Sequence, residues 1–146
     1  MKKVVLLLIA ALIVYAAFFT EKDRLDREVK RLCAIDGGIR VYETVKLPAE
    51  RFDRYGQIQI PAKWLAKPED DYYYEGSTDY LIKGNPELLR LHTRVYRGSD
   101  SALLGESVLY VRRGGDLPGP WHPSSFSCPR SKDLSGYIFL PQNGER

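Results

Sequence analysis

The chain has little of the chemistry that catalytic and metal-binding proteins commonly use. Among 146 residues there are two cysteines, two histidines and one methionine. Its glycines form neither a GxxxxGK nor a GxGxxG phosphate-binding motif, and no GxSxG sequence occurs. The acidic residues between positions 69 and 79 lack the spacing of an EF-hand loop. The sequence therefore predicts no catalytic residue, no metal site and no cofactor.

An excess of one charge sign is also missing. The net charge is +3, and it falls to +1 without the first 20 residues, which hold Lys2 and Lys3 and no acid. This near-neutral remainder gives no electrostatic reason to expect a nucleic-acid partner. With 44% hydrophobic residues the chain is not of the disordered class, and about 126 residues suffice for one folded domain.

A long apolar run occurs once, at the N-terminus. Residues 4–19 carry no charge, and as a helix they span about 24 Å, against about 30 Å of bilayer hydrocarbon. Lys2 and Lys3 can snorkel on one side, and aromatic residues stand at the exit. We expect an inner-membrane anchor through residues 4–19, with the rest of the chain in the periplasm by the positive-inside rule.

Two alternatives to the anchor stay open at this point. The leader has the charged start and apolar centre of a signal peptide, and Val14 and Ala16 offer a small-residue pair for cleavage. Cleavage would release the domain into the periplasm. The other alternative is a buried helix of a cytosolic protein.

The two cysteines fit an exported domain. Cys33 and Cys128 are far apart in sequence and neither belongs to a CxxC motif. In an oxidising compartment such a pair predicts a disulfide, whereas in the cytosol both would be reduced and buried. The predicted bond ties the end of the first soluble helix to the C-terminal region.

Hydrophobic periodicity predicts an α+β fold. The leader helix is expected to continue into a charged helix, for which Thr20 is the candidate cap, with apolar residues on one face and mixed charge elsewhere. A small antiparallel sheet domain should follow. Residues 39–47 alternate as one half-buried strand, and residues 136–140 suggest a last short strand. The division is a leader at 1–20, a juxtamembrane helix at 21–35, an α+β domain at 36–141 and a frayed tail at 142–146.

The clearest element is an antiparallel hairpin. Residues 89–96 alternate, a Gly/Ser/Asp turn follows at 98–101, and the return strand extends to about Arg113. Gly105 is placed where a β-bulge would adjust the register. The proline-rich stretch 117–129 is expected to be extended over the sheet.

Two groups of residues are candidate binding surfaces. A cationic patch on the polar face of the hairpin would hold an anion or an acidic partner, unless internal acids neutralise it; its members are Arg90, His92, Arg94 and Arg112. The second candidate is a tyrosine-rich loop within residues 67–79, formed by Tyr72, Tyr73 and Tyr74, since tyrosine offers large contact area at low entropic cost.

Two stretches together resemble a known group of proteins. They are CAIDGGIRVYETVKLP at residues 33–48 and RRGGDLPGPWHPSSFSCP at residues 112–129. Both are similar to sequences of small exported or membrane-anchored bacterial proteins without an assigned activity. The resemblance implies an exported compartment and transfers no catalytic residue.

These observations together predict a non-catalytic accessory or interaction component of the cell envelope, held at the inner membrane and meeting an envelope protein there. The alternative is a periplasmic module that binds a small solute or an anion.

Overall fold

The apolar leader and the charged stretch after it form one continuous helix, α1 (Lys2–Asp36). The computed structural model describes residues 1–130 and 133–142. Neither proline nor glycine interrupts residues 2–36, so nothing breaks the helix between its two halves. The predicted start at Thr20 is therefore wrong: Thr20 lies inside the helix, and its hydroxyl donates back to the Ala16 carbonyl at 2.7 Å.

The first half of α1 is long and apolar enough to span a membrane or to be a signal sequence. Its most apolar window has a mean hydropathy of 2.5, and none of that window is buried against the rest of the protein. Burial begins in the second half, where Leu25, Val29 and Cys33 face the folded domain.

An antiparallel sheet follows the helix, which confirms the predicted α+β fold. The chain forms β1 (Gly38–Val41), β2 (Val45–Leu47), a 3-10 turn (Ala49–Arg51), β3 (Tyr72–Ile82), β4 (Glu87–Arg97), β5 (Leu103–Arg113), β6 (Ser125–Cys128), α2 (Ser135–Ile138) and β7 (Phe139–Pro141). The main sheet has the order β1-β5-β4-β3, and β6 pairs with the same edge of β5 as β1 does. Separately, β2 and β7 form a parallel pair.

The predicted hairpin is β4 and β5, paired from Glu87–Arg113 to Tyr96–Leu103. The register shifts next to Gly105, as the sequence predicted. A Cβ at Gly105 would lie 2.9 Å from both the Arg40 carbonyl oxygen and the Ile138 side chain, so only glycine fits at this bulge.

Three local predictions are corrected. The single strand expected at 39–47 is two strands, because the chain leaves the ladder after Val41 and the amides of Tyr42 and Glu43 both donate to the Leu104 carbonyl. The last strand begins only at Phe139, after the short helix α2. The tyrosine-rich loop is the start of β3. The frayed tail predicted at 142–146 lies, beyond Gln142, outside the described residues.

The two faces of the sheet bury different cores, as the alternation of side chains requires. One face packs on α1, and its core contains Val29, Cys33, Leu88, Val108 and Tyr110. The opposite face packs on the segments around β2 and β7, and its core contains Leu47, Ile58, Val95, Leu104, Leu134, Ile138 and Phe139.

A disulfide joins the helix to the sheet, as predicted. Cys33 of α1 bonds to Cys128 of β6 across 95 residues of sequence. Since β6 pairs with β5, the bond fastens the helix to the sheet edge formed by β5 and β6.

Candidate functional site

The residues of the predicted cationic patch lie along the helix-covered face of the sheet, and three of them have internal partners. Arg112 is the most buried, at 3% exposure. Its Nε is 2.6 Å from Asp26 Oδ1 of α1, and its Nη1 donates to the Gly114 carbonyl and the Ser124 hydroxyl. This arginine holds the helix against the sheet and has no free donor face for an external anion.

Arg90 contacts the end of α1. Its guanidinium lies 2.8 Å from Asp36 Oδ2 and 3.6 Å from Asp79 Oδ2 of β3. The Tyr110 hydroxyl donates to the same Asp36 oxygen at 2.9 Å. The Arg90 guanidinium, followed by the Tyr110 hydroxyl, holds the pKa of the Asp36 carboxyl below its ordinary value. The pairing again joins helix and sheet.

His92 belongs to a cluster around Glu106 of β5. Its Nε2 is 2.6 Å from Glu106 Oε2, and both side chains are largely buried. Glu106 also accepts from the Tyr42 hydroxyl at 2.7 Å and from Arg40 at 3.3 Å. These bonds, with Tyr42 foremost, lower the pKa of the Glu106 carboxyl, and the hydrogen bond to Glu106 raises the pKa of the Tyr42 phenol.

A histidine–carboxylate pair is a possible acid–base unit, but it needs a nucleophile or a substrate proton within reach. Ser77 stands opposite His92 across the β3–β4 ladder, yet in the described parts of the chain no hydrogen bond joins them. The cluster thus lacks the contact that a nucleophilic triad requires, and its geometry is that of a structural network.

Arg94 differs from the other three patch residues. None of the described carboxylates forms an ion pair with it, and its buried Nε has no hydrogen-bond partner there. Its β3 neighbour Glu75 pairs instead with Lys63 at 2.5 Å, and Lys63 lowers the pKa of the Glu75 carboxyl. A role in anion binding stays a prediction for the whole set, and Arg94 is the member with an unused guanidinium donor.

The three tyrosines predicted as a partner loop are the first three residues of β3, and their side chains have different surroundings. Tyr72 packs edge-on against Phe139 in the core, with ring centres 4.8 Å apart, and Tyr73 stacks on Tyr96. Tyr74 is exposed, but its backbone amide and carbonyl bond to the Pro61 carbonyl and the Lys63 amide at 3.0 and 2.8 Å. The strand, rather than a loop, therefore presents them.

The feature that sequence reasoning missed is the rest of this strand. Every residue from Gly76 to Ile82 is exposed, and β3 is the last strand on its side of the sheet. Because Tyr74 points its backbone groups away from β4, so do Gly76, Thr78 and Tyr80. Among residues 1–130 and 133–142, no segment bonds to this part of the edge beyond the Ala62–Tyr74 bridge.

A cleft of about 820 Å³ opens elsewhere, between the segment after the 3-10 turn and the region of α2 and β7. Its walls include Phe52, Tyr55 and Tyr137, with Arg54 and Asp133 as charged members. None of the predicted patch or tyrosine residues lines it. The cleft could not be predicted from the sequence, because its two walls are more than seventy residues apart.

No protein-family model, curated protein or solved structure matches the chain. The arrangement defines an α+β domain carried on a helix that can span a membrane or serve as a signal sequence. The resemblance to small exported bacterial proteins stays a prediction from the sequence.

Proposed function

We propose that the protein is a membrane-anchored, non-catalytic interaction component of the cell envelope, with its domain held at the periplasmic surface of the inner membrane. One observation carries the proposal: a single unbroken helix is fully exposed over its apolar half and packed into the domain over its charged half. The helix continues from the apolar run to Leu25, Val29 and Cys33, which are buried in the domain, and this continuity supports an anchor over a signal cleaved after Val14 and Ala16. Lys2 and Lys3 precede the apolar run, and by the positive-inside rule they support a cytoplasmic N-terminus with the domain in the periplasm.

The domain is fastened to this helix at several points, which suits a protein that presents a surface in a fixed pose. The Cys33–Cys128 bond, the buried Arg112–Asp26 pair and the Lys22–Asp116 pair at 2.6 Å all join α1 to β5, β6 or the loop between them. A rigid mount reduces the ordering entropy that a partner must overcome on binding.

The partner surface in this proposal is the open edge, which we define as Gly76–Tyr80 of β3. Its outward amides and carbonyls can accept a further strand, the mode by which an extended segment of another protein joins a sheet. The bulge between Tyr80 and Ile82 limits the ladder to the portion before Leu81. We therefore expect an envelope protein that supplies a short extended segment.

The test compares two substitutions at Thr78. Thr78→Pro removes an outward amide and leaves the ladder to β4 intact, because proline is tolerated at edge positions whose amide faces solvent. Thr78→Ala is the matched control, since it keeps the amide. Full-length protein with a C-terminal tag is purified from gently solubilised membranes, and co-purifying proteins are identified by mass spectrometry.

A stoichiometric envelope protein that accompanies the wild type and Thr78→Ala, and is lost with Thr78→Pro, supports the proposal. A partner that tolerates Thr78→Pro moves recognition away from the open edge. A protein that purifies alone from membranes contradicts the interaction role.

The need for the anchor is tested separately. Replacement of residues 1–20 by a cleavable signal should leave the fold intact and abolish function; full function of the released domain contradicts the need for an anchor.

The second candidate function, binding of a small solute or anion, is favoured by the aromatic-walled cleft, whose volume lies in the range of ligand sites. A panel of anions and small solutes is tested for a ligand-induced rise in melting temperature. A rise that Arg54→Ala abolishes and Arg94→Ala preserves places the ligand in the cleft. The reverse pattern places it at the cationic patch, and no rise with any compound excludes this function for the compounds tested.

A further inference from the structure

The strands run alongside α1 in a defined direction. Asp36, near the end of the helix, contacts Tyr110, whereas Asp26 contacts Arg112 and Lys22 contacts Asp116. β5 is therefore antiparallel to α1, and the C-terminal end of β5 lies nearest to the apolar half of the helix. The connection from β5 to β6 and the connection from β3 to β4 both lie at this end, because Glu87 pairs with Arg113.

These two connections reach the level at which the helix becomes apolar. Asn85, Pro86 and Gly115 line a small hollow together with three helix residues, Ala17, Phe18 and Glu21. The apolar run of sixteen residues covers about 24 Å, which is about 6 Å less than the hydrocarbon layer. The bilayer boundary thus extends beyond Phe19 or the bilayer thins to meet it. In either case the connections stand beside the headgroup layer, which is several ångströms deep.

The residues at this end are suited to a lipid surface. We define the membrane rim as residues 80–86 and 117–123. Trp121 is 55% exposed, Leu81 is 47% exposed, and Ile82 and Tyr80 are exposed as well. Tryptophan and tyrosine favour membrane interfaces because their rings combine an apolar body with a polar atom.

The charge of the rim also fits anionic headgroups. Neither segment contains an aspartate or glutamate, and Lys83 is the one residue of full charge within them. The acids next to the rim have basic partners: Asp116 pairs with Lys22 at 2.6 Å and Glu87 with Arg113 at 2.7 Å. Asp79 lies 3.6 Å from Arg90, and Glu21 of the hollow pairs with Arg24 at 2.6 Å. A single lysine in an otherwise apolar rim is attracted to an anionic lipid surface and not repelled by it.

Trp121 is held in place before any membrane contact. Its indole Nε1 donates to the Leu117 carbonyl at 2.8 Å, and the ring lies over Gly119, where an added Cβ would collide with it. The loop that carries it is closed at its base, where the Asp116 carboxylate accepts from the amide and hydroxyl of Ser124. An exposed tryptophan in a fixed loop at bilayer level requires little further ordering on insertion.

We propose that the membrane rim is a second membrane contact: Trp121 and the Leu81–Ile82 pair insert into the headgroup region of the bilayer that α1 crosses, while Lys83 faces anionic lipid. This proposal rests on the proposed function, because the bilayer in question is the one in which α1 anchors the protein. The occupant of this apolar surface is lipid, because the surface continues directly from the membrane-spanning half of the helix.

The chain contains two tryptophans, which makes a direct test possible. Trp64→Phe leaves Trp121 as the sole tryptophan, and Trp121→Phe leaves Trp64. Trp64 is 82% exposed and follows Ala62, which pairs with Tyr74. Tyr74 is six residues before Tyr80, where the rim begins on β3, so the bridge beside Trp64 lies about 20 Å from the rim at 3.3 Å per residue. Trp64 is therefore the matched control: an exposed tryptophan of the same chain that should lie too far from the bilayer to contact it.

Each full-length variant is reconstituted into vesicles of phosphatidylcholine and phosphatidylglycerol, with and without bromine near the headgroup end of the acyl chains. Bromine quenches tryptophan emission at contact range. We expect Trp121 to lose much of its emission and to shift to shorter wavelength, with Trp64 unchanged in both respects. Lys83→Glu in the Trp64→Phe background should reduce the quenching on these anionic vesicles.

Resistance to carbonate extraction, measured on the same samples, reports the anchor separately. If the chain resists extraction but Trp121 is unquenched, or both tryptophans are quenched equally, the proposed membrane contact of the rim is contradicted and the proposed anchor is supported. A chain that is extracted by carbonate but quenched at Trp121 while bound supports the rim and contradicts the anchor. An extracted chain with no quenching overturns both.

Discussion

The two outer sides of the three long strands, β3 to β5, differ in how they are covered. The outer edge of β5 is covered along its length, by β1 over residues 105–108 and by β6 over residues 110–113. The outer edge of β3 is bonded at Tyr74 and is open from Gly76 onward within the described chain. The covered edge is also the one that the helix, the disulfide and the buried ion pair hold. Stability is concentrated at one edge, and backbone groups available to a partner are concentrated at the other.

This separation has a physical basis. Strands buried on both faces and bonded on both sides open only with global unfolding, whereas an edge exposed on both faces opens at small cost. A partner strand can then order the open edge without disturbing the helix mount. The comparison predicts that substitutions on the covered side reduce the free energy of unfolding and that equivalent ones on the open side do not.

The largest expected loss of stability follows from removing the disulfide. Cys33→Ser with Cys128→Ser frees a loop of 95 residues in the unfolded chain, which the chain-entropy account values at about 4–5 kcal/mol. Thermal unfolding of the full-length protein in micelles, followed by circular dichroism, measures it. Thiol reduction of the wild type should give the same lowered melting temperature, and a melting temperature that does not respond to either treatment would contradict the assigned role.

The next effect is at the buried arginine. Arg112→Met leaves Asp26 without its partner beside the buried face of the helix, which costs about 3 kcal/mol of unfolding free energy. Arg113→Met is the matched control one residue away, because the Arg113–Glu87 pair is half exposed and contributes less than about 1 kcal/mol. Similar losses in the two variants would show that the covered face is not the site where stability is concentrated.

A smaller effect compares two acids that share one arginine. Asp36→Asn weakens charged hydrogen bonds from both Arg90 and Tyr110, at a cost of about 2 kcal/mol. Asp79→Asn, on the open edge, removes an exposed contact 3.6 Å from Arg90 and should change stability by less than about 0.5 kcal/mol. If Asp79→Asn is the more damaging, the open edge contributes more to folding than the geometry implies.

The sequence predicted the elements whose signals are local or pairwise. Strict alternation on both sides of a Gly/Ser/Asp turn predicted the β4–β5 hairpin, and an isolated cysteine pair behind an apolar leader predicted the disulfide. Thr20 misled because a hydroxyl that can cap a helix can equally bond back within one. The charged stretch after the apolar run keeps helical spacing, and this predicted a membrane helix that continues into a charged helix, as α1 does.

The open edge could not be predicted because its residues lack a periodic signal. A strand exposed on both faces needs no alternation of apolar and polar residues, so the sequence around Tyr72, Tyr73 and Tyr74 indicates a loop as readily as a strand. The internal partners of the cationic patch could not be predicted for a different reason. Arg112 and Asp26 are 86 residues apart, and Arg90 meets Asp36 across 54, so only the packed structure reveals which cations are already neutralised.

The smallest expected effect is a change in the acid limb of the stability curve. Lys22, followed by the amide and hydroxyl of Ser124, holds the pKa of the Asp116 carboxyl well below its ordinary value. A depressed pKa in the folded state adds stability above the unfolded-state pKa of about 3.9, and this stability is lost as the pH falls below that value. Asp116→Asn should therefore lower the free energy of unfolding by about 1 kcal/mol at neutral pH and flatten its pH dependence below about pH 4.

Lys22→Gln removes only the lysine that lowers the pKa of Asp116. It should flatten the acid limb in part, because the Ser124 donors remain. Melting temperatures measured from pH 7 to pH 2.5 check this, and an acid limb unchanged in both variants would mean that the tie between the β5–β6 loop and α1 contributes nothing to the covered side of the sheet.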